Sequence, residues 1–302
     1  MSASFSQQVK TELCALPLKR SCCIASELYG SLLLCNTFSS REIRIITVSA
    51  PFAGRFCELM RLSGYGSPNV VRGSTGKHSI VVTEKNVLEC IFEAYGYDPV
   101  RQISLHLNGW VIERECCRQA FLRGAFLAGG FLVDPEKQYR LEIITPHEAL
   151  GRELSALLVD MDLPPKMTKR QGCNVIYYKE SSNIEDFLTH TGAYSSVLHL
   201  MEAKLMKDVR NTINRRVNCE TSNLYKTVES GQSQIENINY LISRGVFDDL
   251  SDELRETARL RLDNPDLSLS ELTLLVEQRI SRSGLNRRLQ KINEYAARHR
   301  EL

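Results

Sequence analysis

The sequence predicts an α+β protein in which a duplicated α+β region is followed by an all-helical module. Three observations carry this. An apolar helix with regularly spaced small residues occurs twice, at Cys22 to Phe38 and at Cys116 to Pro135, with Cys22-Cys23 matching Cys116-Cys117 and Gly30 matching Gly124. Each copy is followed by the same succession of strand-like and helix-like runs. Strand signals then cease from about Ser196, and everything beyond has helical periodicity.

The elements follow in order. Residues 1–20 form an amphipathic helix; SASFSQQVKTELCALP has no continuous apolar core, so it is not a signal peptide. Residues 21–200 are the duplicated domain, with repeats at about 21–100 and 115–200. In the first repeat the Cys22–Phe38 helix precedes a strand (Arg44 to Val48), a helix (PFAGRFCELMRLSGYG), short and longer strands (near Asn69 to Arg72, and His78 to Thr83) and a short helix (Asn86 to Gly96). The second repeats this with Arg140 to Thr145, HEALGRELSALLVDMDL, Lys166 to Arg170, Asn174 to Lys179, and Asn183 to Gly192. Gly54-Arg55 pairs with Gly151-Arg152 across the repeat. Residues 201–220 read as a basic helical linker with Lys204, Lys207, Arg210, Arg215 and Arg216, and residues 221–302 as the all-helical module.

The repeated helix explains itself by its small residues. Ala120, Gly124 and Ala128 recur every fourth position, with Ala125 and Gly129 as a second row. Glycine inside a helix costs about 1 kcal/mol against alanine, so a glycine stripe predicts another backbone packed against it. The ten cysteines include two adjacent pairs and no CxxC, and the six histidines are dispersed. This reads as a reduced, cytosolic chain without a structural metal. The longest apolar run, Ala120 to Val133, is broken by Arg123 and too short to span a bilayer.

The last eighty residues carry the chemistry. LRETARLRL (Leu254 to Leu262) is a helix closed by Asn264-Pro265. Ser268 to Glu271 is a capping box opening a short helix that runs to about Glu277. A turn at Gln278 to Ser281 brings Ile280 between the helices. Arg282 to Arg298 is the last helix, with Leu285, Leu289, Ile292 and Ala296 as its buried stripe. This is a helix-turn-helix with a basic second helix: residues 278–300 hold seven Lys/Arg against one acid, Glu294. Cations serve phosphates, and forked donors serve base edges. The predicted DNA contacts are Arg279, Arg282, Ser283, Asn286, Arg287, Arg288 and Lys291, with Arg287 and Arg288 suited to guanine and Asn286 to adenine. Secondary contacts are expected from Lys169, Arg170, Arg215 and Arg216. GAFLAGG at 124–130 lacks the Lys-Ser/Thr of a phosphate loop and lies inside a helix, not at its start.

The helix FLRGAFLAGGFLVDP resembles the interface helix of LAGLIDADG homing endonucleases, whose plan is two such helices joined by α/β halves. Together with NRRVNCETSNLYKT at 214–227 and SRSGLNRRLQKI at 281–292, the chain resembles the WhiA family along essentially its whole length. The resemblance implies a duplicated LAGLIDADG-like domain followed by a helix-turn-helix domain. It further implies control of cell division, chromosome segregation and sporulation genes, with double-stranded DNA and RNA polymerase holoenzyme as partners and a cytoplasmic, nucleoid-associated location. Active members of the endonuclease family end each motif helix in a metal-binding acid. Here those positions fall on Cys35 and Gly129, neither of which serves a hard cation. The expectation is therefore a regulator with no catalytic residues, metal or cofactor. The competing readings are an interaction protein whose N-terminal domain docks a division or chromosome partner, and a metal-dependent endonuclease using other acids.

Overall fold

A computed structural model describes residues 3–73, 76–98, 105–276 and 280–301. The chain divides into two compact units, Met1–Asp208 and Val209–Leu302.

The first unit contains the duplication. Helix α1 (Phe5–Ala15) precedes α2 (Ser21–Leu33), strands β1 (Thr37–Phe38) and β2 (Ile43–Thr47), α3 (Ala50–Leu62), β3 (Val70–Arg72), β4 (His78–Val82) and α4 (Lys85–Ala94). The second copy is α5 (Glu115–Gly129), β5 (Gly130–Leu132), β6 (Leu141–Thr145), α6 (Glu148–Asp160), β7 (Lys166–Arg170), β8 (Cys173–Tyr178) and α7 (Ser181–Thr191). The strands form two antiparallel sheets with the same topology, β1-β2-β4-β3 and β5-β6-β8-β7. Identical strand order in two segments is what a duplication leaves behind.

Strands β1 and β5 were not anticipated. Both are two or three residues long, too short for a periodic signal. Gly130–Leu132 is a correction to the expected helix through Pro135. α5 stops at Gly129 because Gly130 turns extended, at ψ 151°, and its chain pairs with β6, Leu132 opposite Leu141.

The glycine prediction holds. α2 and α5 pack backbone to backbone at the centre of the unit. A Cβ on Gly30 would fall on the Phe121 carbonyl and within 2.8 Å of the Ala125 nitrogen. A Cβ on Gly124 would fall on the Glu27 carbonyl and within 3.0 Å of the Ser31 nitrogen. Ser31 Oγ donates across the contact to the Gly124 carbonyl at 3.3 Å. Bulky neighbours flank the crossing, with Leu28, Leu32, Phe121, Leu122 and Phe126 fully buried.

A charged cluster lies within this apolar core. Glu27 on α2 is buried and accepts from Arg55 of α3 and from Arg123 of α5, the latter at 3.0 Å. Arg55 also donates to the Cys14 and Leu16 carbonyls at 3.0 and 2.7 Å, and Arg123 to the Thr191 carbonyl at 3.1 Å. One carboxylate thus ties both central helices to α1, α3 and α7.

Helix α8 (Tyr194–Ser243) is a single run of 50 residues. The stretch 201–220, expected as a basic helical linker, is helical and interior to it, and the division between the two units at Asp208/Val209 falls within it. The second unit continues with α9 (Asp252–Asp263), α10 (Leu269–Leu275) and α11 (Arg282–Glu301). Its core is Ile238, Leu241, Leu250, Ala258, Leu272, Leu285, Leu289, Ile292 and Ala296. Among the described residues, no helix is long and apolar enough to cross a membrane.

Candidate DNA-binding interface

Local sequence chemistry fixes the helix-turn-helix. At the start of α10 the Ser268 hydroxyl accepts from the Glu271 backbone at 3.3 Å, and the Glu271 carboxylate accepts from the Ser268 backbone at 2.8 Å. The capping box is closed, and these hydrogen bonds hold the Glu271 carboxyl below the usual carboxylate range. α10 ends at Leu275, two residues before the expected Glu277, where Val276 turns extended. Ser281 opens α11, its hydroxyl accepting from the Gly284 backbone at 3.2 Å. Ile280 packs on the core as expected. Gly284 leaves room for it: a Cβ there would stand 3.0 Å from Ile280 Cγ1.

The predicted stripe Leu285, Leu289, Ile292 and Ala296 is buried, each at most 1% exposed. Ser283, Arg287, Gln290 and Glu294 recur at spacings of four, three and four on the opposite side, and all are exposed. Arg282 and Lys291 are exposed and Asn286 is half-buried. Arg279 lies outside the described residues. Arg288 departs from its expected role. It sits a third of a turn off the exposed face, is only 18% exposed, and pairs with Glu253 of α9 at 3.1 Å. Its guanidinium braces α11 against α9. Gln290, absent from the sequence-based set, shares the face of Arg287; a glutamine suits adenine edges, and its position opposite the buried stripe was the signal that marked it.

Arg261 on α9 is a further residue the sequence did not single out. It is buried, and it donates to the Leu267 carbonyl at 2.7 Å, holding the α9–α10 loop. Burial lowers its pKa.

At the end of the α2/α5 pair, the motif's two acid positions hold no carboxylate. Gly129 faces Leu34 and the Ile144 carbonyl, at 3.1 and 3.2 Å from where its Cβ would lie. The Cys35 thiol donates to the Thr37 carbonyl at 2.9 Å, and burial pushes its pKa up to about 12. It is an inert, protonated thiol.

Comparison with known proteins matches residues 118–210 to the WhiA LAGLIDADG-like domain and 213–296 to the WhiA C-terminal helix-turn-helix domain. A protein of Ruminiclostridium cellulolyticum described as a probable cell division protein WhiA is 38% identical over 99% of this chain and 98% of its own length. One of the same description from Carboxydothermus hydrogenoformans is 35% identical over 98% of each. The chain belongs to the WhiA family. The crystal structure of full-length WhiA from Thermotoga maritima superposes with a TM-score of 0.61 at 23% identity, covering 98% of this chain and 99% of that one, so the two share a fold.

In this WhiA-family chain the second sheet has one face on the helices and one open. Thr145 and Asn174 pack on Gly151 of α6, so Glu142 and Ile144 point the other way. Register places Phe131, Glu142, Tyr177 and Lys166 in one row on the open face. Arg140 and Arg170 both bind Glu142, at 2.5 and 2.8 Å. Burial of Glu142 opposes its ionisation, but the hydrogen bonds from Arg170 and Arg140 outweigh it, and its pKa falls. Lys169 is one residue from Arg170 and so takes the other face, where it pairs with Glu148 of α6 at 3.1 Å. The expected secondary contacts are thereby separated. The equivalent face of the first sheet carries Arg44, Ile46, Ser79, Val71 and Val81, with Arg44 paired to Glu42 at 2.9 Å. On α8, Arg215 is exposed and Arg216 pairs with Glu220 at 2.9 Å.

Proposed function

We propose that this protein is a sequence-specific DNA-binding transcriptional regulator of cell division, chromosome segregation and sporulation genes, and that its LAGLIDADG-like domain is not catalytic. The observation that carries the reading is the exposed face of α11. Arg287 and Gln290 project from a helix held down by a complete apolar stripe and a capped start, which is what major-groove readout requires. Ser283 shares that face one turn before Arg287, and Arg282 and Lys291 flank it for phosphate contacts. Arg288 supports the arrangement from within the domain. Cell division is the role ascribed to the relatives; sporulation and RNA polymerase holoenzyme rest on the family resemblance alone. The non-catalytic reading is supported by Cys35 and Gly129, since neither gives magnesium an oxygen ligand.

The test is Arg287→Ala in the full chain. It is expected to weaken operator binding by about 1–3 kcal/mol, roughly fivefold to 150-fold, and to relax discrimination at one base position. Unchanged affinity by fluorescence anisotropy, with unchanged thermal unfolding, would remove α11 from the interface. Plasmid incubated with the protein and magnesium is expected to stay supercoiled.

A further inference from the structure

The two repeats share a motif that DNA binding does not use. Arg20-Ser21-Cys22-Cys23 and Arg114-Glu115-Cys116-Cys117 are both R-x-C-C, and both open a central helix. Arg20 and Arg114 are the N-caps, and neither N-cap side chain bonds to its helix. The cysteines therefore occupy the second and third positions of α2 and α5, in the first turn, where the helix dipole is positive.

The close packing at Gly30 and Gly124 runs the two helices together and brings the pairs to one point. The four sulfurs lie within 4.8 Å of one another. Cys22 Sγ and Cys23 Sγ are 3.9 Å apart, and Cys23 Sγ lies 3.6 Å from the Cys116 carbonyl oxygen. Tetrahedral zinc with Zn–S near 2.3 Å needs sulfurs about 3.8 Å apart. With no pair more than 4.8 Å apart, the four sulfurs lie within about an ångström of that spacing. Cys117 is buried and the others half-buried. Cys22 and Cys117 line an open cavity of about 670 Å³ with Trp110 and Arg114, which gives an ion a route in.

We propose that Cys22, Cys23, Cys116 and Cys117 form a binding site for one Zn²⁺ ion, clamping the N-terminal ends of the two repeats' central helices. Each coordinating thiol releases its proton to solvent, and no electron is transferred. Four thiolates and one Zn²⁺ carry a net charge of −2. The two helix N-termini, Arg20 beside Cys116 and Arg114 at the cavity offset it. A disulfide would use two sulfurs and leave the other two unexplained; tetrahedral zinc uses all four. No CxxC announces the site, because its ligands arrive as two vicinal pairs far apart in sequence.

The full chain, purified with reductant and stripped by chelator, is titrated with Co²⁺ and separately loaded with Zn²⁺, desalted and assayed for metal. One Zn²⁺ per chain is expected, with four of the ten thiols protected from a thiol reagent. Co²⁺ should give the sulfur-to-cobalt charge-transfer and strong d–d bands of a tetrahedral tetrathiolate. Cys22→Ser with Cys116→Ser is expected to take bound zinc from one equivalent to none, while Cys90→Ser with Cys219→Ser, at exposed thiols elsewhere, retains it. If the first pair fails to fold, the cobalt spectrum of the unsubstituted chain decides alone. A weak octahedral cobalt spectrum, zinc retained by a folded Cys22/Cys116 variant, or a Cys23–Cys116 disulfide formed with zinc present would each overturn the proposal.

Discussion

Glu27 shows how one residue can hold a fold at a cost. It lies buried beside Gly124, between two arginines. A buried ion pair gains little over an apolar packing, but losing one partner strands the other charge. Glu27→Gln is expected to destabilise the first unit by about 3–5 kcal/mol in urea unfolding followed by circular dichroism. Lys10 gives a pH-dependent counterpart. Its ammonium donates to the Leu127 carbonyl at 3.0 Å near the end of α5, and burial lowers its pKa to about 8, against a small opposing influence from Cys14. Below pH 8 both folded and unfolded chains carry the proton, so stability there does not change through this group. Between pH 8 and about 10.5 the unfolded chain holds the proton that the folded chain has lost, so stability rises with pH. Lys10→Met is expected to remove that rise and to be more stable than the parent at pH 7; equal slopes for the two proteins would show that Lys10 does not titrate there.

At the scale of elements, the α2/α5 pair was legible because glycine is so poor a helix former that its presence needed a reason. Gly124→Ala tests the reason. Helix propensity alone favours alanine by about 1 kcal/mol, yet the new methyl would fall on the Glu27 carbonyl. The expected result is a net loss of about 1–3 kcal/mol in thermal or urea unfolding; a neutral substitution would mean that the helices part easily. The capping box and the stripe of α11 were legible for a similar reason: a serine three residues before glutamate and apolar residues at helical spacing are local signals. Strands β1 and β5 were not, since a short edge strand is defined by its partner. The helical character of 201–220 was legible in the same way, but not that one helix runs unbroken from Tyr194 to Ser243, because helical periodicity does not show where one helix ends and the next begins.

For the molecule as a whole, the balance of charge decides where DNA binds. Formal net charge is only +2, so local placement matters more than the total. On the second sheet, Arg140 and Arg170 share Glu142, whereas Arg287 is exposed on α11. The salt dependence of operator binding should follow that difference. Arg140→Gln with Arg170→Gln is expected to leave the slope of log K against log salt unchanged. A fall of about one or more in that slope would show phosphate contacts on the sheet.

The duplication, the close helix pair, the helix-turn-helix with its buried stripe, and the lack of acids at the two motif positions could all be read along the chain. All of these rest on residue type and spacing along one element. Which arginine of the Arg287-Arg288 pair faces outward, the parting of Lys169 and Arg170 to opposite faces, the two arginines on Glu27 and the convergence of four cysteines from distant positions emerge only on folding. Those depend on which element packs against which. Spacing along the chain sets a side chain's direction on its own helix or strand, and the partner's position sets what it meets.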